Sequence, residues 1–149
     1  MYSKQLVFHS YQEFRDSNLS SHNNIQICHD NIYSPILETQ NLFQDLAKCI
    51  ALQNLQLTLS GNQINDLGAI YMGRALAKLK CLFNLTLNLR GNKIGKQGGL
   101  GLYDGIKVLP NLIKLSIDLR YNSYDLYGIR NLEAKFKKIK RLTIKKIQI

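Results

Sequence analysis

Three asparagines, Asn62, Asn92 and Asn122, stand 30 residues apart, and the apolar residues around them keep the same register without a gap. The first unit reads Leu52, Leu55, Leu57, Leu59, Asn62, Ile64, Gly68, Met72, Leu76, Leu79. The second repeats it as Leu82, Leu85, Leu87, Leu89, Asn92, Ile94, Gly98, Leu102, Ile106, Leu109. The third follows as Leu112, Leu115, Ile117, Leu119, Asn122, Tyr124, Gly128, Leu132, Phe136, Ile139. A repeat of this length constrains the fold more than any other feature of the chain.

Within each unit the apolar spacing changes. Leu55, Leu57 and Leu59 alternate at two, the period of a strand with one buried face. Met72, Leu76 and Leu79 recur at four and three, the period of one helix stripe. A strand and a helix repeated every 30 residues make a βα solenoid, in which no unit covers its own apolar face and each buries that of its neighbour. The asparagine side chain suits the turn after each strand, because it can bond backbone groups that a bending chain leaves unpaired. Gly68, Gly98 and Gly128 fall where the helix starts, and a side chain there would obstruct close approach of backbone.

These units resemble the ribonuclease-inhibitor-like leucine-rich repeats, with an LxxLxLxxN strand segment and an NxLxxxGxxxLxxxL helix segment. The resemblance spans Leu52 to Ile139. It implies an α/β arc, a short horseshoe with a parallel sheet on the inner face and helices outside. It also implies an interaction scaffold rather than an enzyme. This chain departs from the pattern by one extra x-Leu dipeptide before each asparagine, as in Leu55-x-Leu57-x-Leu59-x-x-Asn62. A strand longer by one dyad is expected from it.

Upstream, Ile25 and Ile27 match strand positions and Leu42, Leu46 and Cys49 match the helix stripe, so a degenerate unit covers residues 25–51. His29 falls at the third strand leucine, and Pro35 lies in the connection. Complete units cover 52–81, 82–111 and 112–141, and a terminal strand covers 142–149. Residues 1–24 have no repeat register. Phe8, Tyr11 and Phe14 share a helical spacing, and the segment reads equally as a cap or as a flexible arm. In the terminal strand two registers fit: Leu142, Ile147 and Ile149 with Lys145 at the remaining leucine position, or Ile139, Leu142 and Ile144.

The chain of 149 residues carries a net charge of +10, unevenly distributed: −2 over 1–50, +5 over 51–129 and +7 over 130–149. The last segment presents a basic patch of Lys135, Lys138, Lys140, Arg141, Lys145 and Lys146. On the strands, residues between the leucines point away from the core. Among them Thr58, Asn88, Arg90, Asp118 and Arg120 form the expected partner-binding set on the inner face. Arg90 and Arg120 are expected side by side with Asp118 near, which fits a protein partner acidic at its contact surface. Tyr121 and Tyr127 replace Gly91 and Gln97 and are expected at the surface; Tyr124 replaces Ile64 and Ile94 and is expected in the core with its hydroxyl outside.

Other chemistry finds little purchase. His9, His22 and His29 all precede the complete units, and no Ser/His/Asp or Cys/His set assembles from the pattern, so no catalytic residues are expected. Gly95-Lys96-Gln97-Gly98-Gly99-Leu100-Gly101 lacks the spacing of a phosphate loop. Cys28, Cys49 and Cys81 match no zinc spacing and, being odd in number, no disulfide framework. No metal, cofactor or small-molecule substrate is expected. No apolar run reaches the ~18 residues of a membrane span, and no secretory signal is evident, so a cytoplasmic location is expected. The leading expectation is a protein-protein interaction or assembly scaffold. The alternatives are a basic nucleic-acid-associated subunit, less favoured for want of a stacking series, and a regulator of an enzyme such as a small GTPase or a nuclease.

Overall fold

The computed structural model describes residues 5–28 and 36–149, and only the backbone of residues 36–39, 144 and 145. Strands β1 (Leu6–Phe8), β2 (Asn24–Cys28), β3 (Asn54–Thr58), β4 (Asn84–Asn88), β5 (Lys114–Asp118) and β6 (Ile144–Gln148) form one parallel sheet in chain order. Helices α1 (Tyr11–Arg15), α2 (Ile36–Leu46), α3 (Asp66–Leu76), α4 (Lys96–Lys107) and α5 (Leu126–Lys137) alternate with them. His29 and Pro35 lie outside the described residues.

The register follows the 30-residue repeat. Leu55 lies opposite Leu85 and Leu85 opposite Leu115; Leu57, Leu87 and Ile117 line up likewise. Ile25 and Ile27 extend both rows into β2. All these side chains are buried, and with Met72, Leu76, Leu79 and their equivalents they make one continuous core. At the far end Lys145 lies opposite Leu115 and Ile147 opposite Ile117. The unslipped register is therefore the one adopted, because it continues the backbone ladder without a step.

The extra dipeptide prolongs the ladder. Beyond the five-residue strands, the Leu59 N–H donates to the Asn88 carbonyl at 2.9 Å and the Gly61 N–H to the Arg90 carbonyl at 3.0 Å; Leu89 and Gly91 repeat both bonds one coil later. Asn92 then clasps two coils. Its Oδ1 accepts from the N–H groups of Asn62 (3.0 Å) and Ile64 (2.9 Å), and its Nδ2 donates to the carbonyls of Leu59 and Leu89, each at 2.9 Å. Asn122 does the same for Ile94, Leu89 and Leu119.

The helix layer is less regular than the sheet. Between α3 and α4, Gly73, Gly101 and Gly105 let backbones touch: a Cβ on Gly105 would stand 2.0 Å from the Gly73 carbonyl oxygen. Between α4 and α5 the equivalent positions are Tyr103, Asn131 and Lys135. There the Tyr103 ring packs edge-on against Phe136 at 5.6 Å. Gly98 sits where the chain pattern places it, with a Cβ there meeting Asp66 backbone at 2.9 Å.

Residues 5–28 close the first edge of the sheet. β1 pairs with β2, Phe14 is fully buried, and Phe8 packs edge-on against it at 5.5 Å. The Tyr11 hydroxyl donates to Asp45 at 2.8 Å, tying α1 to α2. His22 is buried beside both phenylalanines, and this burial holds its imidazole below the usual 6.5. The unfolded chain therefore takes up the proton first as pH falls. Stability should be full above pH 6.5 and decline below it until the folded pKa is also passed. Thermal melts from pH 7.5 downward check this (~pH 7.5 lies above the histidine range). His22→Gln should flatten the decline just below the histidine range, and an unaltered profile in the variant would contradict the assignment.

Candidate functional site

The strand faces that turn away from the core carry three aligned rows. Gln26, Gln56, Thr86, Ser116 and Lys146 form the first; Cys28, Thr58, Asn88, Asp118 and Gln148 form the second. Ser60, Arg90 and Arg120 continue the pattern just beyond the strands. The rows are uncharged over β2 and β3 and become charged from β4 onward. Thr58 and Asn88 are half-buried and polar, and the Asn88 carboxamide accepts from the Arg90 N–H at 3.2 Å.

The two arginines are not used alike. Arg120 forms a bidentate pair with Asp118, Nε to Oδ1 at 3.0 Å and Nη2 to Oδ2 at 2.6 Å. The Asp118 carboxyl is held below its ordinary range chiefly by that hydrogen bond. The Arg90 guanidinium instead lies 4.5 Å from the centre of the Tyr121 ring. Tyr121 is 71% exposed and has φ of 59°, the left-handed conformation that Gly61 and Gly91 adopt at the same point of the two preceding coils. A non-glycine side chain there costs about 1–2 kcal/mol. Chain pattern alone placed Tyr121 at the surface. Its partnership with Arg90 and its strain went unforeseen, although the substitution of tyrosine for a repeated glycine was the available signal.

Tyr127 is exposed as expected, with Lys96 Nζ 5.6 Å from its ring centre. Tyr124 departs from expectation. Its hydroxyl is buried rather than outside and finds no hydrogen-bond partner among the described residues. It points into the gap over Gly99, where an added Cβ would come within 2.7 Å of it. Burial raises its phenol pKa.

The C-terminal cations divide among surfaces. Lys135 lies on α5 with its Nζ 5.3 Å from the Tyr103 ring centre, a distance that Lys107 shares. Lys138 and Lys140 are exposed past the end of α5. Arg141 turns back and donates to the carbonyls of Ile106 and Lys107, both at 2.9 Å, closing the C-terminus of α4. Lys146 stands on the sheet face, in the row of Ser116. Lys145 is paired in backbone register with Leu115, and its side chain is outside the described set. The five whose side chains are described are spread over α5, the connection after it and the sheet face.

Ser17 Oγ lies 2.8 Å from His22 Nε2, a pairing absent from the sequence reading. The serine hydroxyl donates to the Phe14 carbonyl at 2.5 Å, so the imidazole N–H must face the serine oxygen. That polarity braces the turn and leaves the serine without a base. Among the described residues no three His, Cys, Asp or Glu side chains converge as metal ligands, and no helix is long and apolar enough to cross a membrane.

No protein-family model matches the chain. No curated protein matches it in sequence. Among solved structures it is similar to a chain described as leiomodin-1 actin-binding site 2, with a TM-score of 0.68 at 12% identity, over 93% of this chain and 77% of that one. With six parallel strands in one sheet and helices alternating between them, the chain has a leucine-rich-repeat-like fold, an arc of the kind seen in leiomodin.

Proposed function

We propose that this chain is a non-catalytic protein-binding module whose contact surface is the open face of the sheet, centred on Arg90, Tyr121, Arg120 and Asp118. The observation that carries the reading is Tyr121: a strained, exposed tyrosine stacked on an arginine where two preceding coils carry glycine. Tyrosine and arginine are the residue types that anchor protein interfaces. Backbone strain of this kind persists where surrounding structure or function over-determines it. Thr58 and Asn88 supply the polar approach from the neighbouring coils. The partner is acidic at its contact surface, since Arg90, unlike Arg120, forms no ion pair with a carboxylate among the described residues. An intracellular setting accords with Cys28, Cys49 and Cys81 being free thiols. The nucleic-acid reading is weaker, because the C-terminal cations that suggested it are spread over the sheet face, α5 and the connection after α5, with no stacking series beside them.

Two variants test the proposal. Arg90→Glu reverses the stacked charge, and Tyr121→Gly removes the anchor while relieving the backbone. Tyr121→Gly should leave stability unchanged or raise it by up to about 1 kcal/mol, the relieved strain less the lost cation-π contact. Both variants should reduce quantitative partner capture at least about tenfold, as truncation of an interface anchor does. The similar leiomodin region is described as an actin-binding site, so purified actin is the defined partner to assay first. Capture equal to wild type by both folded variants would remove the sheet face from consideration.

A further inference from the structure

Because every strand runs the same way, the helix-to-strand connections fall on one edge of the molecule; of the five among the described residues the first, 16–23, carries Asp16 and no lysine or arginine, and the other four are repeats of one another. Residues 47–53, 77–83, 107–113 and 137–143 are the same seven positions of successive coils. They hold one, two, one and four lysines or arginines respectively and no aspartate or glutamate, and of these cations Lys48, Lys107 and Lys137 pair with Asp45, Asp104 and Glu133 on the preceding helices. The same edge exposes four large apolar side chains: Ile50 at 64%, Val108 at 45%, Ile113 at 42% and Phe83 at 38%. Phe83 and Ile113 are neighbours on adjacent coils, joined by the Ile113 N–H donating to the Phe83 carbonyl at 2.8 Å. Lys80 reaches the Val108 carbonyl at 3.4 Å. Cations and apolar side chains are thus interleaved along one strip.

Helix ends account for part of this. Lys78 and Lys138 sit where a helix dipole favours a positive charge, and Arg141 closes α4 through the carbonyls of Ile106 and Lys107. They do not account for Lys140, beyond the helices, or for four large apolar side chains exposed along one edge; Lys80 reaches the C-cap carbonyl of α4 yet stays exposed. Phosphates of a nucleic acid would match the charge, but Phe83 is the one aromatic ring among the four apolar side chains, and Ile50, Val108 and Ile113 are aliphatic and offer no series on which successive bases could stack. A bilayer interface matches both, with headgroup phosphates for the lysines and the upper acyl region for the apolar side chains.

We propose that this edge docks on an anionic phospholipid surface, with Lys80, Lys138 and Lys140 at the headgroups and Ile50, Phe83, Val108 and Ile113 below them. The contact is peripheral and leaves the sheet face open, so it is independent of the protein-binding reading.

Co-sedimentation of the full chain with vesicles tests it. Vesicles of phosphatidylcholine alone should not retain the chain, and vesicles with phosphatidylserine at about 30 mol% should, less strongly as salt rises. Lys80→Glu with Lys138→Glu and Lys140→Glu should weaken partition at least about 100-fold. Phe83→Ser with Ile113→Ser, which keeps every charge, should weaken it about tenfold. All five positions are exposed, and circular dichroism and the denaturant midpoint verify the folds. Three results overturn the proposal: no retention by phosphatidylserine vesicles at low salt; full retention of the lysine variant, which puts the contact elsewhere; or full retention of the serine variant with duplex DNA at equal phosphate stripping the wild type, which makes the edge a general polyanion site.

Discussion

Gly105→Ala should destabilise the chain by about 3 kcal/mol or more, the upper range of overpacking costs. This runs against helix propensity, which favours alanine over glycine by about 1 kcal/mol inside a helix. The clash decides the sign. An alanine Cβ would lie 2.0 Å from the Gly73 carbonyl oxygen, 2.5 Å from its carbon and 2.7 Å from its Cα. All three are backbone atoms, so no rotamer change relieves them, and α3 and α4 must separate. Gly128→Ala is the control. Its nearest neighbour is the exposed Asp125 carboxylate at 3.0 Å, the cap that accepts from the Gly128 N–H, and a side chain there can give by a few tenths of an ångström where backbone cannot. That variant should stay within about 1 kcal/mol of wild type, since propensity and slight crowding offset. Urea midpoints of the pair separate the two effects.

The second large loss belongs to Asn92. Its carboxamide satisfies two N–H groups and two carbonyls, divided between its own coil and the preceding one. Asn92→Ala leaves all four without that partner in a buried turn, at about 1–3 kcal/mol for each group that water cannot reach. A total near 3–5 kcal/mol is expected once partial hydration is allowed for. Asn92→Asp should be no better than alanine despite its shape. A carboxylate keeps the acceptor for Asn62 and Ile64 but faces the carbonyls of Leu59 and Leu89 with negative charge and no donor. Equal stability of wild type and Asn92→Asp would show that the amide nitrogen makes no contribution.

How far the fold could be read in advance follows from what burial demands. The leucine rows were legible because each buried strand position must be apolar at every second residue, and Leu57, Leu87 and Ile117 cannot be exchanged for polar residues without exposing the core. Asn92 and Asn122 were legible for the same reason in reverse, as polar residues repeated beside a buried turn. Distances between elements were not legible. Gly73, Gly101 and Gly105 read as mere glycines until α3 and α4 are placed against each other. Arg141 read as one more cation in a basic run, but its reach to carbonyls 34 and 35 residues earlier depends on where α4 ends. The choice between Lys145 and Ile144 at the last strand was balanced on hydrophobicity, and the backbone ladder decides it, because continuing a register needs no slip. At the candidate site the arginines and Asp118 were visible as types. Which arginine pairs with the carboxylate and which stacks on Tyr121 is a matter of offsets of 2 and 31 residues meeting in space.

The central claim is that each coil is held in place by the next, and deuterium exchange of Leu87→Ala tests it most directly. Leu87 is buried between Leu57 and Ile117, and its truncation should cost about 2–5 kcal/mol. If the stack is one cooperative body, backbone amides of β3 and β5 should lose protection together with those of β4. Faster exchange confined to β4, with its neighbours as protected as in wild type, would contradict mutual support between coils.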